Sequence, residues 1–261
     1  NTSFTGRITG DSTFIRKIGD GRLFLDLQNS SDYAGEIALS GGTLAISRDV
    51  GLGGGGANGF GQLTLSGGEL EATQSLTLNS SRQLSVTSNS TVSVASGKTL
   101  SYQSEIGGAR KITLTGQGIF SLSDPTTIAN LNVDIASGFL ELVTDTPSFA
   151  QAFVGTGGLI LTPSSGSFSS TVEVDPSAVS TLSSLQVGKA SNTSDIIFTG
   201  AVGFSDQLTV YGGDITLEQG VISDGTMDLA LTAAGSILVN NQASLGSASQ
   251  RLGSVLFDSG R

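Results

Sequence analysis

Two pairs of carboxylates have the spacing that glycoside cleavage requires: Glu69 with Glu71, and Glu173 with Asp175. On a β-strand, residues two apart point to the same face, with Cα atoms about 6.5 to 7 Å apart. Glycosidases hold two carboxylates about 5 to 9.5 Å apart across the sugar. The spacing therefore allows a catalytic pair. Acidic residues that alternate with apolar ones are also typical of any solvated strand, so we predict no catalytic residue here.

Other catalytic chemistries lack their residues. The chain contains no His and no Cys, which excludes Ser-His-Asp catalysis, thiolate metal sites and disulfides. Polysaccharide lyases need a basic residue near the scissile bond, and residues 112–188 contain no Lys or Arg. The glycine-rich stretch Gly51 to Gly61 lacks the Lys-Ser/Thr pair of a phosphate-binding loop and indicates a flexible connection. We therefore expect a protein that is not an enzyme and binds no cofactor.

Calcium is the one metal for which ligands can be named. Its hard oxygen ligands could come from four aspartates in the second half of the chain, Asp206, Asp214, Asp224 and Asp228. No Asp-x-Asp-x-Asp-Gly loop accompanies them. The sequence predicts no dedicated metal site and allows only weak Ca²⁺ binding at the surface.

Five Asn-x-Ser/Thr sequences match the N-glycosylation pattern. In a chain this rich in Asn, Ser and Thr, we interpret them as turn residues. They begin at Asn1, Asn29, Asn79, Asn89 and Asn192.

The net charge of −10 is unevenly distributed. Residues 1–111 contain nine basic and nine acidic residues, whereas residues 112–261 contain three basic and thirteen acidic ones. Phosphate contacts need clustered Lys or Arg, so nucleic acid is not an expected partner. No apolar run approaches the roughly 18 residues of a membrane-spanning helix.

Short apolar alternations, most of them opened by glycine, recur along the chain and predict many similar β-strands that must stack to bury their apolar faces. Most span three to five residues, and many connections are longer than hairpin turns. These lengths favour a parallel β-helix over an antiparallel sandwich. We predict an all-β, right-handed parallel β-helix, a rod-shaped solenoid with about 20 residues per coil. Representative alternations are Leu23–Leu25, Leu63–Leu65, Leu76–Leu78, Ile112–Leu114, Leu159–Leu161 and Ile215–Leu217.

We divide this single continuous solenoid into three parts: residues 1–122, residues 123–181 and the acidic coils 182–261. All four prolines lie in the middle part, which should therefore contain the longest side loops, with residues 144–157 as the expected protrusion. Because the chain opens with Asn1 and its last strand has no polar cap, we expect a piece of a longer protein or head-to-tail assembly.

One segment resembles the passenger-associated repeat of bacterial autotransporters. That repeat runs Gly-x-Gly-x-Leu-x-Leu, then a Tyr-x-Gly step, then a Gly-x-Leu end. The first copy is nearly complete, and partial copies follow within residues 14–122. The matching segments are Gly19–Leu25, Asp32–Leu39 and Gly41–Ile46, then Gly59–Leu65 with Gly67–Leu70, and Gly116–Leu122 preceded by Ile106–Lys111.

A second segment, Asp228–Asn240, is similar to the repeats of filamentous-haemagglutinin-type exoproteins. Both resemblances imply a secreted or cell-surface bacterial protein, a stiff stalk or filament subunit for adhesion, aggregation or fibre assembly. The implied partners are other copies of itself, adjoining β-helix segments, and glycans or proteins on host or neighbouring cells. A glycan-cleaving β-helix enzyme and a cell-surface lattice protein are the alternatives.

Overall fold

The computed structural model describes residues 1–8, 14–27, 33–54, 59–108, 110–124, 130, 132–148, 152–221, 227–240, 244–246 and 252–259. The chain divides into two compact units, Asn1–Phe139 and Leu140–Arg261. Within the described residues every paired strand runs parallel to its partner, and the longest helical segments are two four-residue 3₁₀ turns. The prediction of an all-β parallel solenoid is confirmed.

The first unit consists of short strands that recur once per coil. Their order is β1 (Thr2–Phe4), β2 (Phe14–Lys17), β3 (Arg22–Leu25), β4 (Glu36–Leu39), β5 (Thr43–Ile46), β6 (Leu63–Ser66), β7 (Glu69–Ala72), β8 (Leu76–Thr77), β9 (Leu84–Ser88), β10 (Ser90–Val94), β11 (Thr99–Tyr102), β12 (Ile106–Gly107), β13 (Ile112–Gly116), β14 (Ile119–Leu122) and β15 (Val133–Ile135).

Three sheets run along this unit, with hydrogen-bonded orders β1-β3-β5-β7-β10-β13-β15, β2-β4-β6-β9-β12 and β8-β11-β14. The coil length varies with the connections. Thr2 lies opposite Leu23, 21 residues on, whereas Thr43 lies opposite Glu69, 26 residues on. The longer coil carries the 3₁₀ turn Asp49–Leu52 and the glycine-rich segment that follows it.

The second unit repeats the same plan. Its strands are β16 (Phe139–Val143, which begins at the last residue of the first unit), β17 (Val154–Gly155), β18 (Gly158–Thr162), β19 (Val172–Val174), β20 (Ser184–Val187), β21 (Ile196–Phe198), β22 (Gln207–Gly212), β23 (Ile215–Leu217), β24 (Gly220–Val221), β25 (Asp228–Ala233), β26 (Ile237–Val239), β27 (Ser244–Leu245) and β28 (Val255–Ser259). Three sheets have the orders β16-β18-β20-β22-β25-β28, β19-β21-β23-β26 and β24-β27.

The core is a set of aliphatic columns that run from coil to coil. Parallel register places each inward residue over its equivalent in the next coil, because side chains alternate with a period of two. Burial of one such side chain stabilises the fold by about 1.5–3 kcal/mol. One fully buried column of the first unit is Leu44, Leu70, Val92, Leu114 and Ile135. One of the second unit is Leu161, Val187, Val210 and Leu231.

Several short strands were not predicted, because they carry two or three residues and no apolar alternation. They are β1, β12, β17, β24 and β27. β17 and Phe153 lie inside the expected protrusion 144–157. Phe153 is buried and its amide donates to the carbonyl of Ala178, so this end of the segment packs on its own unit. Residues 149–151 lie outside the described residues, and the three-part division of the chain stays a prediction.

Candidate functional site

The first carboxylate pair lies on β7, where Glu69 and Glu71 share the outward face and are both half-buried. Glu71 accepts two hydrogen bonds from the guanidinium of Arg22, at 2.6 and 3.1 Å. Glu69 accepts a 2.9 Å hydrogen bond from the Thr43 hydroxyl. The hydrogen bond with Glu71 raises the pKa of Arg22. Glu69 therefore bonds to the adjacent coil, and Glu71 bonds to the coil beyond it.

Arg22 and Glu71 are two coils apart. Parallel register aligns Phe24 with Ala45 and Ala45 with Glu71, so the arginine side chain crosses β5 to reach β7. Ala45 points outward between them and is fully buried. The ion pair thus covers a small residue on the outer face of the middle strand.

The second pair, Glu173 and Asp175, also has a structural arrangement. Asp175 precedes the 3₁₀ turn Pro176–Val179, and its carboxylate accepts a 2.9 Å hydrogen bond from the amide of Ser177. Hydrogen bonds from the hydroxyl and the amide of Ser177 lower the pKa of Asp175. A general acid needs a raised pKa, so Asp175 acts as a turn cap, while Glu173 is a solvent-exposed residue of β19.

The aspartates considered for Ca²⁺ do not converge where the structure describes them. Asp214 accepts hydrogen bonds from the amide and hydroxyl of Ser236 at 2.7 and 2.8 Å, and Asp228 accepts the same pair from Ser254 at 2.9 and 2.8 Å. Asp206 is exposed, and Asp224 lies outside the described residues. Among those residues, no group of three or more acidic side chains is placed to hold a metal ion. Weak surface binding of Ca²⁺ stays a prediction.

The hydrogen bonds of Asp214 and Asp228 form a contact between coils that the composition did not indicate. An aspartate carboxylate at the start of one strand accepts hydrogen bonds from the amide and the hydroxyl of a serine one coil later. These bonds close the corner between the two coils. Asp195 accepts the amide of Asp214 at 2.8 Å in the same way. In the sequence, such a pair is an Asp followed by a Ser one coil length later, which is 22 residues in the case of Asp214 and Ser236. The pair can be recognised only when the coil length is known.

The glycosylation-type sequences have different environments. Asn192 is buried, and its side chain donates to the carbonyl of Tyr211 and accepts from the amide of Phe168. Asn79 is half-buried and Asn89 is exposed, and each accepts a hydrogen bond from a backbone amide, that of Ser81 and Lys111 respectively. These three asparagines serve turns and corners, as predicted; Asn29 lies outside the described residues.

The glycine-rich stretch is held by a residue that sequence reasoning missed. Arg82 is 1% exposed, and its guanidinium pairs with Asp49 at 2.7 Å. It also donates to the carbonyls of Gly53 and Gly61 at 2.7 and 3.2 Å, and it lies 5.4 Å from the centre of the Phe60 ring. The described parts of this stretch are therefore fixed at both ends. Residues 55–58 lie outside the described residues.

The repeat signature identified in the sequence has a structural basis at its Tyr-x-Gly step. Tyr33 is buried and donates a 2.6 Å hydrogen bond to the carbonyl of Glu36, which closes the corner before β4. Burial raises the pKa of Tyr33. Gly53 packs against Tyr33, where a Cβ would meet the ring and the carbonyl.

A relative with a known class shares this coil-forming sequence. The adhesin BmaC autotransporter of Brucella suis biovar 1 (strain 1330) is 31% identical over 244 residues. The chain is similar to an autotransporter adhesin. The match covers 94% of this chain and 6% of the relative, so the chain corresponds to a small part of that protein's length. No protein-family model and no solved structure matches the chain.

The autotransporter resemblance predicted from the repeats is therefore confirmed, and the similarity extends well beyond residues 14–122, to nearly the whole chain. In the described residues no helix is long and apolar enough to cross a membrane.

Proposed function

We propose that this chain is a structural and adhesive β-solenoid segment of a bacterial surface protein. The observation that carries the proposal is the similarity to an autotransporter adhesin along 94% of the chain, combined with uniformly parallel coils. Parallel coils that bond to each other through every strand form a stiff scaffold, on which outward side chains can be displayed.

The outer faces support this role. Strand residues that point outward are mostly Ser, Thr, Glu and Gln. Of the four acidic residues considered for catalysis, Glu69 and Glu71 make coil-to-coil contacts, Asp175 caps a turn and Glu173 is solvent-exposed. The resemblance to an autotransporter adhesin supports an extracellular or cell-surface location. The proposed partners are other copies of the chain, adjoining solenoid segments, and glycans or proteins on host or neighbouring cells.

Adhesion can be measured with beads that carry the folded 261-residue chain. We expect the beads to bind cultured epithelial cells, or each other, more than beads coated with heat-unfolded chain or with albumin. Equal retention of all three bead types would contradict the adhesive role. Ordered two-dimensional arrays in electron micrographs of the purified chain would instead indicate a surface lattice.

The enzymatic alternative has its own assay. We expect no release of reducing ends from bacterial or host polysaccharides by the purified chain. Release that disappears in both Glu69→Gln and Glu71→Gln, with Glu141→Gln as the matched control on another strand, would establish glycan cleavage and overturn this part of the proposal.

A further inference from the structure

An open polar groove lies on the outer face of the first unit, over β9 and β12. Its volume is about 450 Å³. The side chains of Gln62, Gln83, Ser85 and Glu105 line it, together with Gly107. None of these residues takes part in the carboxylate pairs, corner contacts or glycine-rich segment described above.

Parallel register arranges these residues in two columns. Leu63 pairs with Leu84, and Leu84 pairs with Ile106, so the residues that precede them, Gln62, Gln83 and Glu105, follow one another coil by coil. The next outward positions form the second column, in which Ser85 pairs with Gly107. Adjacent members of a column are about 4.8 Å apart. The groove therefore presents amide, amide and carboxylate groups in a regular row beside a small-residue floor.

The polar groups of this row are available to a ligand. Gln62 donates to the Thr64 hydroxyl at 3.1 Å. In the part of the chain that the structure describes, the side chains of Gln83, Ser85 and Glu105 make no hydrogen bond. Gln83 and Glu105 are also exposed. Together they offer an amide that donates and accepts, a hydroxyl, and a carboxylate that accepts from several donors.

Beneath the groove, the guanidinium of Arg82 and the phenol of Tyr102 already bond other groups of the protein. Arg82 is buried and directs its donors at Asp49, Gly53 and Gly61. The Tyr102 hydroxyl donates to the carbonyl of Arg82 at 2.8 Å and accepts from the amide of Leu84 at 3.2 Å. Among the described residues that line the groove, none offers an accessible positive group to a phosphate, sulfate or uronate, and Glu105 repels anions.

We propose that this groove binds a neutral saccharide segment. This inference rests on the proposed adhesive function and gives it a ligand class. Vicinal hydroxyls can donate to the Glu105 carboxylate, and they can both donate to and accept from the Gln83 amide; hydrogen bonds to a charged acceptor are the stronger kind. Gly107 has no side chain to cover the floor, and a Cβ built there would lie in ordinary van der Waals contact with the Ser85 hydroxyl oxygen, at 3.6 Å.

The test uses the full chain with a panel of cello-, malto-, manno- and galacto-oligosaccharides, and oligogalacturonates as the anionic arm. Binding is measured by saturation-transfer NMR and isothermal titration calorimetry. We expect at least one neutral series to bind, and Glu105→Ala to weaken it roughly tenfold or more. Gly107→Leu, which fills the floor without a backbone clash, should also abolish binding. Glu173→Ala, an exposed strand glutamate in the other unit, is the matched control and should bind as the parent chain does.

Any of three results would contradict the proposed saccharide site: no neutral saccharide binds, binding survives Gly107→Leu, or oligogalacturonates bind better than neutral sugars. Circular dichroism of each variant confirms that the coils are intact. The bead assay separates the two proposals. Adhesion without saccharide binding leaves the adhesive function and rejects the groove, whereas saccharide binding by beads that do not adhere rejects the adhesive function.

Discussion

Arg82 is a fully buried cation whose guanidinium directs its hydrogen bonds at one corner of a coil. The guanidinium pairs with Asp49 and donates to the carbonyls of Gly53 and Gly61 in the glycine-rich stretch. A glycine-rich segment has no side chains to pack and loses much conformational freedom on folding. A planar cation with five donors compensates by bonding several carbonyls at once.

Replacement of Arg82 should be severely destabilising. Arg82→Met leaves the Asp49 carboxylate, whose side chain is 11% exposed, without its counter-charge, and we expect a loss of about 3–5 kcal/mol. Urea unfolding followed by circular dichroism measures it. Arg16→Met is the control, because Arg16 is exposed and, among the described residues, its side chain donates only to the Ser40 hydroxyl. The effect of Arg16→Met should stay within about 0.5 kcal/mol. Equal losses for the two variants would contradict the role of Arg82.

The corner aspartates predict a dependence of stability on pH. Hydrogen bonds from Ser165 and Ser164 lower the pKa of Asp145, and those from Ser236 lower the pKa of Asp214. Because the folded pKa lies below the unfolded value of about 3.9, their stabilisation is present above that value and is lost as pH falls through the folded pKa.

We therefore expect the urea midpoint to decrease as pH falls below about 4. Asp214→Asn keeps an acceptor for Ser236 but removes the titrating charge, so it should decrease less over the same range. Glu173→Gln, at an exposed strand position, should follow the parent curve. A parent chain whose midpoint is constant down to about pH 2 would show that the corner carboxylates contribute no pH-dependent stability.

Among the elements, several strands end at glycines that fit between backbones of adjacent coils. Gly116 closes β13 with φ +86°, and a Cβ there would meet the backbone of Val94 in the coil before. The carbonyl of Val94 also accepts the amides of Gln117 and Gly118. The close approach of the coils at this corner therefore requires a residue without a side chain.

Gly116→Ala should lower the free energy of unfolding by about 1–3 kcal/mol, because it combines an unfavourable φ with a backbone clash. Gly21→Ala is the matched control in the same unit: nothing lies within 4 Å of its Cβ position, and its φ is not positive. That variant should be neutral or slightly stabilising. Equal losses in the free energy of unfolding for the two variants would contradict this explanation.

For the molecule as a whole, stability comes from contacts between successive coils. Each column residue touches its equivalents one coil before and one coil after, as in other repeat proteins, where stability is approximately a sum of nearest-neighbour terms. The Leu44 column shows this arrangement through five coils of the first unit.

This arrangement predicts a distance limit on energetic coupling. Leu44→Ala, Leu70→Ala and Leu114→Ala should each cost about 2–5 kcal/mol. Leu44 and Leu70 are neighbours, so the double variant should depart from additivity by about 0.5 kcal/mol or more, whereas Leu44 with Leu114, three coils apart, should be additive within about 0.5 kcal/mol. Long-range coupling as large as that between neighbours would contradict nearest-neighbour stacking.

The period-two alternations determined the strands. Five of the six alternations singled out in the sequence lie wholly within strands, namely β3, β6, β13, β18 and β23. Two-residue strands such as β12 and β17 could not be predicted, because their pairing comes from the neighbouring coil rather than from their own residues. The same holds for the 3₁₀ turn Asp49–Leu52, whose last two residues lie in the stretch Gly51 to Gly61 that was predicted to be a flexible connection.

By itself, the sequence determined the all-β class, the parallel stacking and the resemblance to autotransporter repeats, because these follow from local alternation and from glycine spacing. Only the tertiary structure decided which side chains meet, since coil lengths vary from 19 residues at Ile196 and Ile215 to 26 at Thr43 and Glu69. Those lengths place Arg82 under the glycine-rich stretch, Ser236 on Asp214, and Gln83 beside Glu105. Contacts across coils depend on register, and register is set by connections whose conformation no local pattern encodes.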